Sequence, residues 1–199
     1  MFRLVLEKAE EPEIKLPTSA GSWQKQESSR KTSVSALWTM PKPLGGDIEI
    51  LIIDLPPGTG DMMISCAQML PSSACLLVTT PQISASLVAS RSAVAFSKFN
   101  EKILGVVENM SFSDGEGKKE YPFGKGGGEK AAEIVSEATG RQVPLLAQIP
   151  LDSDISMLCD EGRPAILNED GSLRSTPLAH LFSSLAEKIE DLMKADKVL

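Results

Sequence analysis

A chain of 199 residues, 42% apolar and 24% charged, has enough material for one domain with a sizeable core. Its formal net charge of −7 argues against nucleic acid as a partner, because that affinity rests on a lysine and arginine surface, whereas a nucleotide needs only a local cradle of backbone N–H groups. Cys66, Cys75 and Cys159 form no C-x-x-C pair and read as reduced thiols. No run approaches the roughly 20 apolar residues that span a bilayer, and the first residues do not form a signal peptide, so the expected address is the cytoplasm and no membrane partner is expected.

In chain order, residues 1–46 stand apart. From Pro17 to Ser35 the sequence is rich in serine, threonine, glutamine and lysine, and Pro41, Pro43, Gly45 and Gly46 follow. Such a composition buries little, so this stretch is expected to be poorly structured or atypical, with the domain running over 47–199. Trp23 and Trp38 fall on no helical or strand period. Ile48–Asp54 is a continuous apolar run closed by a carboxylate, the profile of a strand buried on both faces of a parallel sheet. Ala74–Thr80, Ile103–Glu108 and Pro144–Ile149 repeat that profile. Between them Met62–Leu70, Ile83–Phe99 and Glu129–Thr139 read as helices, the last closed by Gly140. A final amphipathic helix carries Leu178, Leu181, Phe182, Leu185, Ile189 and Leu192 on one face. This alternation predicts an α/β fold, an open, mostly parallel sheet flanked by helices, with ligands at the carboxyl ends of the strands.

The most specific stretch follows the first of these strands: Asp54-Leu-Pro-Pro-Gly-Thr-Gly-Asp61. A carboxylate at a buried strand's end can hold a Mg²⁺-bound water or orient an attacking one. The Pro-Pro-Gly-Thr-Gly run behind it mixes stiff and permissive residues, which suits a loop that switches position. The same residues also suit a plain strand-to-helix connection capped by Asp61.

Ile52–Asp61 closely resembles the Walker B and switch region of Mrp-type iron–sulfur carriers, a branch of the MinD/ParA-like deviant P-loop ATPases. Val78-Thr-Thr-Pro-Gln82, Gly105-Val-Val-Glu-Asn-Met-Ser111, Phe123-Gly-Lys-Gly-Gly-Gly-Glu129 and Gln148-Ile-Pro-Leu-Asp152 extend the likeness in the expected order, over residues 47–192. The resemblance implies a P-loop NTPase-like fold, ATP and Mg²⁺ as cofactors, a homodimer, and iron–sulfur acceptor proteins as partners. It places Asp54 at the Mg²⁺ and hydrolysis centre, Gly58 as the switch glycine, and Asp61 as support for that loop. Asn109 would read the adenine, since an amide offers a donor and an acceptor together, and Pro150 and Asp152 would line the base pocket. Without the family, Asn109 is a turn residue, and Asp152 or Ser153 a helix cap.

Two family features are missing. No G-x-x-x-x-G-K-[ST] is present, and Gly124–Ala131 only imitates it: Glu129 and Ala131 stand where a glycine and a hydroxyl belong, so the run reads as a glycine turn entering a helix. The family places its P-loop upstream of the Asp-Leu-Pro-Pro-Gly motif, so the chain is expected to be an incomplete domain, truncated at its amino terminus. Ser111–Phe123, where cluster-carrying members have a C-x-x-C pair, contains no cysteine, so Fe–S binding by these residues is not expected. The three cysteines read as small apolar residues, and His180 as a partly exposed helix residue.

The function expected is therefore that of an ATP-binding iron–sulfur cluster carrier or assembly protein. The alternative is a hydrolysis-incompetent nucleotide-binding remnant, or one half of a split ATPase. A membrane-positioning ATPase ranks last, because residues 187–197 mix charges of both signs instead of forming a basic amphipathic face.

Overall fold

The continuous apolar runs are strands of one sheet, and the periodic segments between them are helices laid on its two faces. The computed structural model describes residues 3–8, 50–55, 67–68, 70, 73–99, 102–115 and 118–195. In order these form β1 (Arg3–Lys8), β2 (Ile50–Leu55), β3 (Ala74–Thr79), α1 (Ile83–Ser97), β4 (Lys102–Glu108) and a hairpin of β5 (Ser113–Gly115) and β6 (Lys118–Glu120). Then come α2 (Gly127–Thr139), β7 (Leu145–Gln148), α3 (Ser153–Asp160) and α4 (Pro177–Ala195). Of the helix expected over Met62–Leu70, only Ala67 and Gln68 are seen as helical, and 61–66 lie outside the described residues.

The five-stranded sheet has the order β2-β1-β3-β4-β7. β3, β4 and β7 are parallel, while β1 runs antiparallel to both of its neighbours. β2 therefore shares the direction of β3, and the sheet is mostly parallel, as expected. β1 was not foreseen. The segment set apart at 1–46 contributes an interior strand, so the sheet does not begin at residue 47. Arg-Leu-Val-Leu-Glu-Lys has the β-branched and apolar content of a strand, but Arg3, Glu7 and Lys8 confine its apolar run to three residues, shorter than the runs that marked the other strands.

Alternation along β3 divides the core. Leu77 packs with α1 and α2 through Ala89, Ala93, Ala131, Ala132 and Val135, whereas Leu76 packs with Leu178 and Leu185 of α4 on the opposite face. The buried face of α1 is small and partly polar, with Ser86, Ser90 and Ser92 among its alanines. Their hydroxyls donate to the carbonyls of Ile83, Ser86 and Val88, so burial leaves them satisfied. Gly140 closes α2 at φ 67°, in the left-handed conformation read from the sequence. Thr176 accepts from Ala179 N at 3.2 Å and Pro177 opens α4, a cap followed by proline. At the β7 edge, Lys188 Nζ donates to Leu146 O at 3.1 Å, covering a backbone acceptor that a second sheet would otherwise seek.

Candidate functional site

The loops at the carboxyl ends of β3, β4 and β7 are laced together by main-chain bonds. Asn109 N donates to Thr79 O at 2.8 Å, and Ile149 N to Glu108 O at 2.7 Å. Ser111 N donates to Ile149 O at 2.9 Å and Leu151 N to Phe112 O at 2.7 Å. The Asn109 turn and the Ile149–Leu151 segment thus lie side by side. Asn109 is half-buried and its Oδ1 accepts from Met110 N at 2.9 Å, which stabilises the positive φ of 57° at Met110.

Glu108 lies beneath this turn, 1% exposed. Its Oε2 accepts from Gly128 N at 2.6 Å, and its Oε1 accepts from the Ser111 hydroxyl and from Gln148 Nε2, the latter at 3.0 Å. Gln148 Nε2 also reaches Glu129 Oε1 at 3.4 Å. These contacts explain the glycine run ahead of α2. A Cβ on Gly128 would stand 2.9 Å from Glu108 Cβ and 3.0 Å from its Oε2, so only glycine lets the helix start approach the carboxylate. An amide that would face a phosphate in a true P-loop here faces a side chain of the protein itself. The lysines of the run are also engaged elsewhere. Lys130 pairs with Glu133 at 2.6 Å, and that hydrogen bond and charge raise its pKa above the ordinary lysine value. Lys125 Nζ lies 3.6 Å from the centre of the Tyr121 ring.

Pro150 and Asp152 line a cavity of about 470 Å³ together with Asp114, Asp154, Arg174 and Leu178. The Asp152 carboxylate accepts from Asp154 N at 2.8 Å and so caps α3, the role read from it without the family. Asn109 is not among the described residues lining this cavity.

Asp54 is exposed near the end of β2. It is level with Leu4, and Leu4 with Leu76, three residues short of Thr79 on β3. Two strand spacings, about 10 Å, and three residues of rise, again about 10 Å, separate it from the Thr79–Glu108 level. Gly58 and Asp61 lie outside the described residues. Among the described residues, Thr80 Oγ1, just past β3, is buried without a hydrogen-bond partner, the kind of orphan that a ligand or water satisfies.

The described donors do not fit an iron–sulfur cluster. No group of three or more His, Cys, Asp or Glu converges among them. Cys75 is buried in β3 and Cys159 is exposed on α3, while Cys66 lies outside the described residues. The cysteine-free stretch folds instead as the β5–β6 hairpin, with Lys119 Nζ 3.8 Å above the Phe112 ring and Phe112 beside Tyr121 at 6.4 Å. Sequence reading missed Glu108 and this hairpin. The visible signal for Glu108 was a carboxylate ending a strand that is otherwise apolar.

Comparison with known proteins identifies the family. Residues 33–190 match the family model described as ParA, NUBPL iron-transfer P-loop NTPase. The iron-sulfur cluster carrier protein of Mycobacterium leprae is 43% identical over 144 residues, 72% of this chain and 38% of that protein. The protein of the same name from Bacillus subtilis is 35% identical over 150 residues, 74% of this chain and 39% of that one. The chain thus spans less than half the length of these curated relatives. The crystal structure of the Pyrococcus furiosus cell division ATPase MinD superposes with a TM-score of 0.53 at 22% identity, covering 87% of this chain and 63% of that one, a likeness of fold. The chain belongs to the ParA/NUBPL iron-transfer P-loop NTPase family.

Proposed function

We propose that this chain acts as an ATP- and Mg²⁺-binding iron–sulfur cluster carrier or assembly protein, a homodimer in the cytoplasm with iron–sulfur acceptor proteins as its partners. The observation that carries this reading is the lacing of the Asn109 turn to Ile149–Leu151 at the carboxyl end of the sheet, where open α/β sheets take their ligands. In this reading the Asn109 amide hydrogen-bonds the base. Pro150 forms part of the pocket wall, and Asp152 steadies that wall by capping α3. Asp54, standing apart from Asn109 across the sheet, would serve the metal and phosphate end, together with Gly58 and Asp61, which follow it in sequence. Such a separation suits a nucleoside polyphosphate better than a base alone. When bound, Mg²⁺ would supply neutralisation of phosphate charge beside Asp54.

Titration with ADP and GDP tests it. ADP should bind more tightly, and Asn109→Ala should erase most of that preference, a change of about tenfold for one or two lost hydrogen bonds. Equal affinities for the two nucleotides, or a preference untouched by Asn109→Ala, would remove the base-reading role.

A second reading, a hydrolysis-incompetent module or half of a split ATPase, is favoured by one observation. The position beside β2, where the resemblance implies a P-loop strand, holds the antiparallel β1.

A further inference from the structure

We propose that Glu108 is a positioning residue, a buried side chain whose carboxyl group ties the start of α2 and Gln148 to the Asn109 turn and so sets the geometry of base selection. The proposal rests on the adenine reading above, and adds to it a residue that touches no ligand.

Three donors from three separate segments converge on one side chain: the Ser111 hydroxyl, the Gly128 amide and the Gln148 amide. Gly128 and Gln148 are 20 and 40 residues away in sequence, so no local turn explains the cluster. A buried carboxylate at a helix amino terminus is favoured by the N–H groups and dipole there. Glu108 also accepts Ile149 N through its own carbonyl, and the next residue is Asn109. Side chain and main chain of one residue therefore hold α2, β7 and the turn together. The three partners all donate, which suits an acceptor-only group and gives the carboxylate a role that bulk alone would not fill.

The test uses the full chain, with amide hydrogen exchange read at Ser111, Gly128 and Ile149 beside ADP and GDP titrations. Glu108→Met keeps the bulk and removes the acceptors. It should speed exchange at all three amides about tenfold or more, while Leu76 and Leu77 of β3 keep their protection. Glu108→Gln keeps one acceptor oxygen for Gly128 N, while the Ser111 hydroxyl turns round and the exposed Gln148 amide flips to accept from the new NH2, so it should recover most of the protection. Faster exchange at Gly128 alone, or full protection in Glu108→Met, overturns the tie. The ADP-over-GDP preference should fall toward parity in Glu108→Met and return in Glu108→Gln; a preference unchanged while protection is lost overturns the positioning role. Should Glu108→Met fail to fold, Gln148→Ala reads the tie from its exposed end: faster exchange at Gly128 supports it, and no change overturns it. If the unaltered chain shows no ADP preference, the adenine reading and the base-selection half of this proposal both fall, and exchange alone then decides whether the tie exists.

Discussion

Gly128 shows how one missing methyl group shapes the site. Gly128→Ala would press a Cβ against Glu108 and Leu145 Cδ1, both at 2.9 Å, and is expected to destabilise the fold by about 1–3 kcal/mol, measurable by chemical denaturation. Asn109, Pro150 and Asp152 were nominated from sequence through motifs of consecutive residues. Glu108 stands in the same motif as Asn109, but what distinguishes it is its partners, brought in from β7 and α2 by the fold. The cysteines read as small apolar residues divide: Cys75 is buried in β3, whereas Cys159 is exposed on α3. Anaerobic reconstitution with iron and sulfide is expected to leave the chain without a stable [4Fe–4S] cluster, given the hairpin that replaces a thiolate pair. A stoichiometric chromophore abolished by Cys66→Ser or Cys159→Ser would contradict this.

Among the elements, the central strands and the long helices were legible because burial on two faces, or on one stripe, writes a run or a 3.6-residue period. β1 and the β5–β6 hairpin were not, since charged and polar residues leave them no long apolar run and their partners are assigned by register. β1 matters beyond its size. It is the strand that joins β2, and with it Asp54, to the rest of the sheet. Val5 pairs with Ile53 on one side and Cys75 on the other, so Val5→Pro would remove a ladder donor between two strands. One buried acceptor left unmatched costs about 1–3 kcal/mol, and Val5→Pro should lower the melting temperature while Val5→Ile changes it little.

At the scale of the molecule, the sheet's two edges differ. β7 is covered by α4 and Lys188, whereas Ile50 and Ile52 on β2 are 41% and 58% exposed. β1, from the stretch set apart at 1–46, pairs with one side of β2. Deleting residues 1–8 should therefore turn a cooperative thermal transition into a broad one and bring self-association in size-exclusion chromatography. A deletion variant that stays monomeric and melts as sharply as the parent would refute this. The intact chain is expected to show no significant ATPase activity, since no sequence in it supplies the lysine and amide cradle for a γ-phosphate. Hydrolysis that disappears in Asp54→Ala would overturn that expectation. The direction of β1 gives the absence a geometric form. Arg3 is level with Leu55 and Leu77, and Lys8 with Ile50, so the chain leaving β1 departs from the rim opposite the Asn109 crevice. A strand serves only the rim it points to. A phosphate-gripping loop brought by a parallel strand between β2 and β3 would therefore have to displace β1 first, which makes this interior position a seat for which two strands of opposite polarity compete.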